Sequence, residues 1–258
     1  MRSLAAAGID VDLFRLFGVS IFLFTCLAVG GKILLLAQRT KQLPELALGL
    51  SLFLSGGLGG VLLFVGQSRA QELGDLALGI RGAGLLCLSA GAIALWGFTW
   101  RVFRQRTRWA AVLFATACAA VVAGFFGEAL TGDFATHRFA NPWAWVGLIG
   151  RSLAYLWAGL ESLRYHRLLR LRQDLGLAEN LIVNRFLLWG VGALAAWGIY
   201  GVVVVNIVTG AADGVDAGVF GSVLPSLITA GLGCASAACM GLAFFAPPFY
   251  HSWIQSRL

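Results

Sequence analysis

Arg151 stands near the middle of an unbroken apolar stretch, residues 142–163. A run of that length and composition is long enough to cross a bilayer. A guanidinium at that depth is costly, and it persists only where protein surrounds it, so it marks a candidate functional site. Its chemistry is that of a fixed cation with a fork of N–H donors, suited to carboxylates and other anions. Glu128 is the carboxylate placed to answer it, about one turn from the outer end of the preceding apolar run, on a face shared with Ala117, Val121 and Gly124. Tyr155 lies one helical turn from Arg151. Arg81 sits a few residues inside another apolar run, and Asn206 near the outer end of a third. Arg81, Glu128, Arg151, Tyr155 and Asn206 are therefore expected to converge in the outer half of a helical bundle. Two arginines against one acid leave a positive excess, so the expected guest is a small anion, a carboxylate or a lipid head group. The same Glu128–Arg151 pair equally fits a structural role, because buried ion pairs can fix helix register without adding stability.

A second stripe offers hydroxyls. Ser222, Ser226, Thr229, Gly233, Ser236 and Met240 follow one another at alternating steps of four and three. Such a face either lines a polar cavity or packs closely on a neighbouring helix. Gly56, Gly57, Gly59 and Gly60 form a further close-approach face.

Helices across a membrane must position these groups. Of the 258 residues, 59% are hydrophobic and 12% charged. A soluble domain carries roughly 25% charged residues, so half of the usual solvating surface is missing. The hydropathy pattern predicts an all-α, seven-transmembrane-helix bundle, a single domain over 1–258. Its spans are placed at about 13–38, 44–66, 76–100, 109–131, 142–163, 181–208 and 219–246. Asn141-Pro142 and Leu43-Pro44 read as helix starts. Pro225 is expected to kink the seventh span, and Pro247-Pro248 to stop it.

On a helical wheel the fifth span is two-faced. Ala144, Gly147, Leu148, Ala154, Tyr155, Ala158 and Ser162 share the Arg151 side. Trp145, Val146, Ile149, Leu153, Leu156, Trp157, Leu160 and Leu163 occupy the other side, which is expected to meet lipid.

The net charge of +7 is a topology signal rather than a nucleic-acid signal. Most of the 19 basic residues fall on one side of the expected bundle: Lys32, Arg39, Lys41, Arg101, Arg104, Arg106, Arg108, Arg164, Arg167, Arg170, Arg172, Arg185 and Arg257. By the positive-inside rule that side is cytoplasmic, with the N-terminus outside and the C-terminus inside. The expected location is multi-pass in a cell's inner or plasma membrane. The basic piece 164–172 continues the fifth helix's spacing and could meet anionic lipid or a partner. The start of the chain is too weakly apolar for a signal peptide.

Other classes are excluded or left without support. Lys32 and Lys41 are the only lysines and lie near the cytoplasmic end, which excludes a retinal Schiff base on the seventh helix. His137, His166 and His251 lie at or beyond the membrane edges, which argues against haem held within the bilayer. The five cysteines fall inside apolar runs and read as small core residues. Asp213 and Asp216 are too close in sequence for a calcium loop. No metal site, cofactor, nucleic-acid partner or catalytic motif is expected, and the chain is read as a non-enzyme. A faint similarity between spans 1–3 and 5–7 would fit parallel repeats.

Three functions use these features. A transporter or channel would hold an anionic group at Arg151, countered by Glu128, with Ser222, Ser226, Thr229 and Ser236 lining the path. A sensor would bind a ligand there and signal to a cytoplasmic partner. An accessory subunit would use the small faces to hold a membrane-protein partner or a second copy.

Overall fold

The computed structural model describes residues 11–132, 134, 141–177, 179–209, 223–245 and 250. Ser222, Asp133, His137, Asp213, Asp216, Pro247, Pro248, His251 and Arg257 lie outside the described residues. Among the described residues seven long helices run in order: α1 Val11–Thr40, α2 Leu43–Ser68, α3 Asp75–Phe103, α4 Arg108–Thr131, α5 Pro142–Gln173, α6 Asn180–Val208 and α7 Val223–Phe245. A single turn, Ala70–Leu73, precedes α3.

The helix boundaries follow local chemistry. The Asn141 side chain accepts from the Trp143 amide at 3.0 Å, and Pro142 takes a first-turn position that needs no amide partner. Pro44 takes the same first-turn position in α2, after a Gln42 whose side chain does not cap the helix. Gly132 ends α4 and Gly176 follows α5, each at φ +72°, a left-handed conformation that glycine adopts without strain.

Six of the helices are long and apolar enough to cross a membrane: α1, α2, α3, α4, α6 and α7, within their described residues. This identifies a multi-pass membrane protein. The seventh, α5, is long enough but does not reach the same apolarity, because Arg151 and its polar and aromatic neighbours lie inside the stretch. Of the seven expected spans, six meet that length and apolarity among the described residues, and the one at 142–163 lies on the charge-bearing α5. At 32 residues α5 runs about 48 Å at 1.5 Å per residue, well beyond a hydrocarbon core of about 30 Å.

Helices α1, α2, α3, α5, α6 and α7 pack as a closed ring in that order, with α7 returning to α1. Helix α4 lies outside the ring, on the seam between α3 and α5. The interior is filled by Cys26, Val29, Leu52, Leu95, Trp96, Tyr155 and Met240. Large apolar side chains such as Phe17, Phe24, Val112 and Leu130 stay exposed on the outside, as a lipid-facing surface requires.

One irregularity bears on the site. Within α2, Ser51–Leu58 is π-helical, and the Gly59 amide donates five residues back to the Leu54 carbonyl. The segment is clamped on both sides. A Cβ on Gly56 would come 2.5 Å from the Cys26 Sγ of α1, and one on Gly91 of α3 would come 2.6 Å from the Ser55 amide nitrogen. π turns persist where such packing holds them, frequently beside functional groups.

Candidate functional site

The site forms where α4 crosses α5. A Cβ added to Gly124 would lie 2.5 Å from the Gly147 nitrogen and Cα, and one on Gly127 would lie 2.2 Å from the Trp143 ring. Backbone therefore meets backbone, and the next residue, Glu128, projects past Gly147 toward α5. Long side chains on a helix point toward its N-terminus. Arg151 does so, reaching back one turn over Gly147, whose missing side chain leaves the room. A Cβ there would meet Glu128 Oε1 at 2.9 Å and the Arg151 Nη1 and Nη2 at 3.1 and 3.2 Å.

Arg151 and Glu128 are 5% and 6% exposed, so the pair is held away from solvent. Arg151 Nη2 donates to Glu128 Oε1 at 3.5 Å, and Nη1 donates to Ser89 Oγ of α3 at 3.3 Å. Both are at or beyond the long end of ordinary hydrogen bonds. A guanidinium has five N–H donors, so most of its donors lack an acceptor among the described residues. In a low-dielectric interior an unused charged donor is costly. An anionic or carbonyl oxygen is the kind of acceptor those N–H groups would take.

Tyr155 is buried one turn below. Its Oη lies 2.6 Å from Ser55 Oγ, in the π-helical segment of α2. Ser55 also donates to the Ser51 carbonyl at 2.6 Å. A hydroxyl has one proton, so Tyr155 is the donor to Ser55. The rings of Tyr155 and of Tyr200 on α6 stand 5.7 Å apart. Trp96 of α3 donates its indole N–H to the Gly150 carbonyl at 3.0 Å, fixing α5 beside Arg151.

The other expected residues are placed differently. Arg81 donates from Nε to the Gly66 carbonyl at 2.9 Å, tying α3 to the end of α2. It stands eight residues from Ser89, about 12 Å along the helix. Asn206 is buried near the end of α6. Ser226, Thr229 and Ser236 are buried on α7, whose packing partners are α1 and α6. Ser236 donates to the Gly192 carbonyl at 2.9 Å, so its hydroxyl serves a helix–helix contact. Thr229 Oγ1 has no hydrogen-bond partner among the described residues. Arg151 and Glu128 are thus brought together, Tyr155 one turn along α5 bonds Ser55 instead, and Arg81 is engaged elsewhere.

A comparison with family models, curated proteins and solved structures finds no match. The reading of the site rests on its geometry.

Several participants escape sequence reasoning. Ser89 and Ser55 are isolated hydroxyls in apolar helices, and nothing local says which neighbour they face. Trp157, expected on the lipid side, is buried because α4 covers that part of α5, and its ring stands 5.0 Å from that of Trp96. A second ion pair lies near the far end of α5. Arg104 Nε donates to Glu161 Oε1 at 2.7 Å, and the Arg104 guanidinium lies 5.3 Å from the Trp109 ring. Arg164 Nη1 is 4.0 Å from the other Glu161 oxygen. Glu161 amid Arg104 and Arg164 was the available signal.

Proposed function

We propose that this protein is a seven-crossing membrane transporter or channel that holds a small anion or carboxylate at Arg151. The supporting observation is the underused guanidinium, buried, charged and bonded among the described residues at 3.3 and 3.5 Å. In this reading α5 is the seventh crossing, shielded by α3, α4 and α6, and Glu128 balances Arg151 until the guest displaces it. The π-helical segment bonded to Tyr155 supplies a place where α2 can readjust next to the site. The charge distribution favours an N-terminus outside and a basic cytoplasmic face.

Flux from proteoliposomes tests this, with chloride, inorganic phosphate and acetate as probes. Wild-type protein is expected to release at least one of them. Arg151→Gln removes a charge-assisted hydrogen bond worth about 1.5–3 kcal/mol, so that flux should fall roughly ten-fold or more. Flux that Arg151→Gln leaves unchanged contradicts the proposal. Release of none of the three probes likewise counts against it.

A second reading, an accessory subunit, draws on the seam where Gly124 and Gly147 touch and on the Ser236–Gly192 bond, both marks of tight helix packing. It predicts no flux and stable copurification with a membrane-protein partner.

A further inference from the structure

A cleft of about 440 Å³ opens at the end of the bundle where α1 ends, α6 begins and α7 ends. It is lined by Lys32, Ile33, Leu35, Leu36 and Arg39 of α1, Arg185 of α6, and Ala243 and Phe244 of α7. Three of these side chains are cationic, and no carboxylate is among the described residues that line it. Lys32, Leu35, Leu36 and Arg39 are spaced three, four and seven residues apart, so they form one stripe of α1. Lys32 and Arg39 are about 10 Å apart along the axis.

The cations are held but not neutralised. Lys32 Nζ donates to the Phe244 carbonyl at 2.9 Å, in the last turn of α7, and stands 4.4 Å from the centre of the Phe245 ring. An ammonium has three N–H groups, so Lys32 keeps donors for a second acceptor. Neither Arg39 nor Arg185 forms an ion pair with a described carboxylate. The walls between them are aliphatic, and Leu35 and Leu36 are 60% and 47% exposed, so the cleft opens on the outer, lipid-facing side of the bundle.

We propose that this cleft binds the phosphate of an anionic phospholipid. Lys32, Arg39 and Arg185 would receive the head group, and Ile33, Leu35, Leu36 and Phe244 would receive the start of its acyl chains. A basic recess between membrane helices with apolar walls matches both halves of such a lipid. A free phosphate would use the cations and leave the apolar walls uncovered. The site lies at a different place from Arg151 and does not depend on the function proposed there.

Native mass spectrometry of the full-length protein tests this, with phosphatidylglycerol and phosphatidylcholine offered at equal amounts and inorganic phosphate as a separate arm. Wild type is expected to retain phosphatidylglycerol in preference to phosphatidylcholine. Each basic residue near a membrane surface contributes about five-fold in affinity, so Arg39→Gln/Arg185→Gln should cut retention about twenty-five-fold while leaving the Lys32–Phe244 contact intact. Arg167→Gln/Arg170→Gln, on the distal part of α5, should leave retention unchanged. The proposal is overturned if wild type retains both lipids equally. It is also overturned if the two double variants lose retention alike, or if inorganic phosphate displaces the phosphatidylglycerol completely.

Discussion

Arg151 meets Glu128 across Gly147, with Nη2 3.5 Å from Oε1 and both groups buried. The contact depends on two helices that touch through backbone, because Gly124 and Gly147 have no side chains to separate them. Gly124→Ala would place its Cβ 2.5 Å from the Gly147 backbone, which cannot rotate away. Gly147→Ala would press at 2.9 Å on the Glu128 carboxylate and at 3.1 Å on the guanidinium, which are side-chain ends that can shift. Overpacking typically costs about 1–3 kcal/mol. Gly124→Ala should fall at the upper end and Gly147→Ala at the lower, as read by thermal unfolding in detergent. Equal losses would show that the crossing is looser than described.

The pair itself is open to a double-mutant cycle. Removing one partner of a buried ion pair strands the other, at about 3–5 kcal/mol, whereas replacing both with apolar side chains is often neutral. Glu128→Leu alone should therefore be strongly destabilising. Arg151→Met/Glu128→Leu should recover most of that loss. A double variant whose loss equals the sum of the two single losses would mean that the two groups are not coupled.

Tyr155→Phe removes the 2.6 Å bond to Ser55 but leaves Ser55 bonded to the Ser51 carbonyl. Side-chain hydrogen bonds between membrane helices average about 0.6 kcal/mol, so the stability loss should be small. The sharper readout is local. Amide hydrogen exchange over 51–59 should rise in Tyr155→Phe, because the π-helical turn loses its anchor on α5. Exchange unchanged there would show that Gly56 and Gly91 packing holds the turn without Tyr155.

At the far end of α5, Arg104 is partly exposed and Glu161 is buried, with the exposed Arg164 placed as a second cation for Glu161. Arg104→Gln should cost less than loss of the Arg151 pair, about 1 kcal/mol or below. Arg104→Gln/Arg164→Gln should cost more than the sum of the two single changes, measured by the same unfolding assay. Strict additivity would show that Arg164 does not substitute for Arg104.

The sequence made the polar centre partly legible. Arg151, Gly147, Ala154 and Tyr155 recur at helical spacing, so their common face could be drawn before any neighbour was known. Glu128 was found because a carboxylate inside an apolar run needs a cation. Ser89 and Ser55 could not be found this way, since a hydroxyl in an apolar helix carries no address. The π-helical turn was hidden too, because it is held by Cys26 and Gly91 on other helices rather than by its own residues. Trp157 was misplaced because a wheel drawn for one helix does not know that α4 covers it. Helix α5 falls short of the other six in apolarity for a related reason: protein packs around Arg151, so composition understates how deeply the helix is buried.

An anion on the spare N–H donors of Arg151 is the central proposal. The most direct measurement is the thermal unfolding midpoint of the full-length protein with increasing chloride, inorganic phosphate or acetate at matched ionic strength. A ligand that binds only the folded state raises the midpoint with concentration. At least one of the three should do so for wild type, and the effect should vanish in Arg151→Gln and in Arg151→Met/Glu128→Leu. A wild-type midpoint indifferent to all three anions, or variants that respond as wild type does, would contradict the claim.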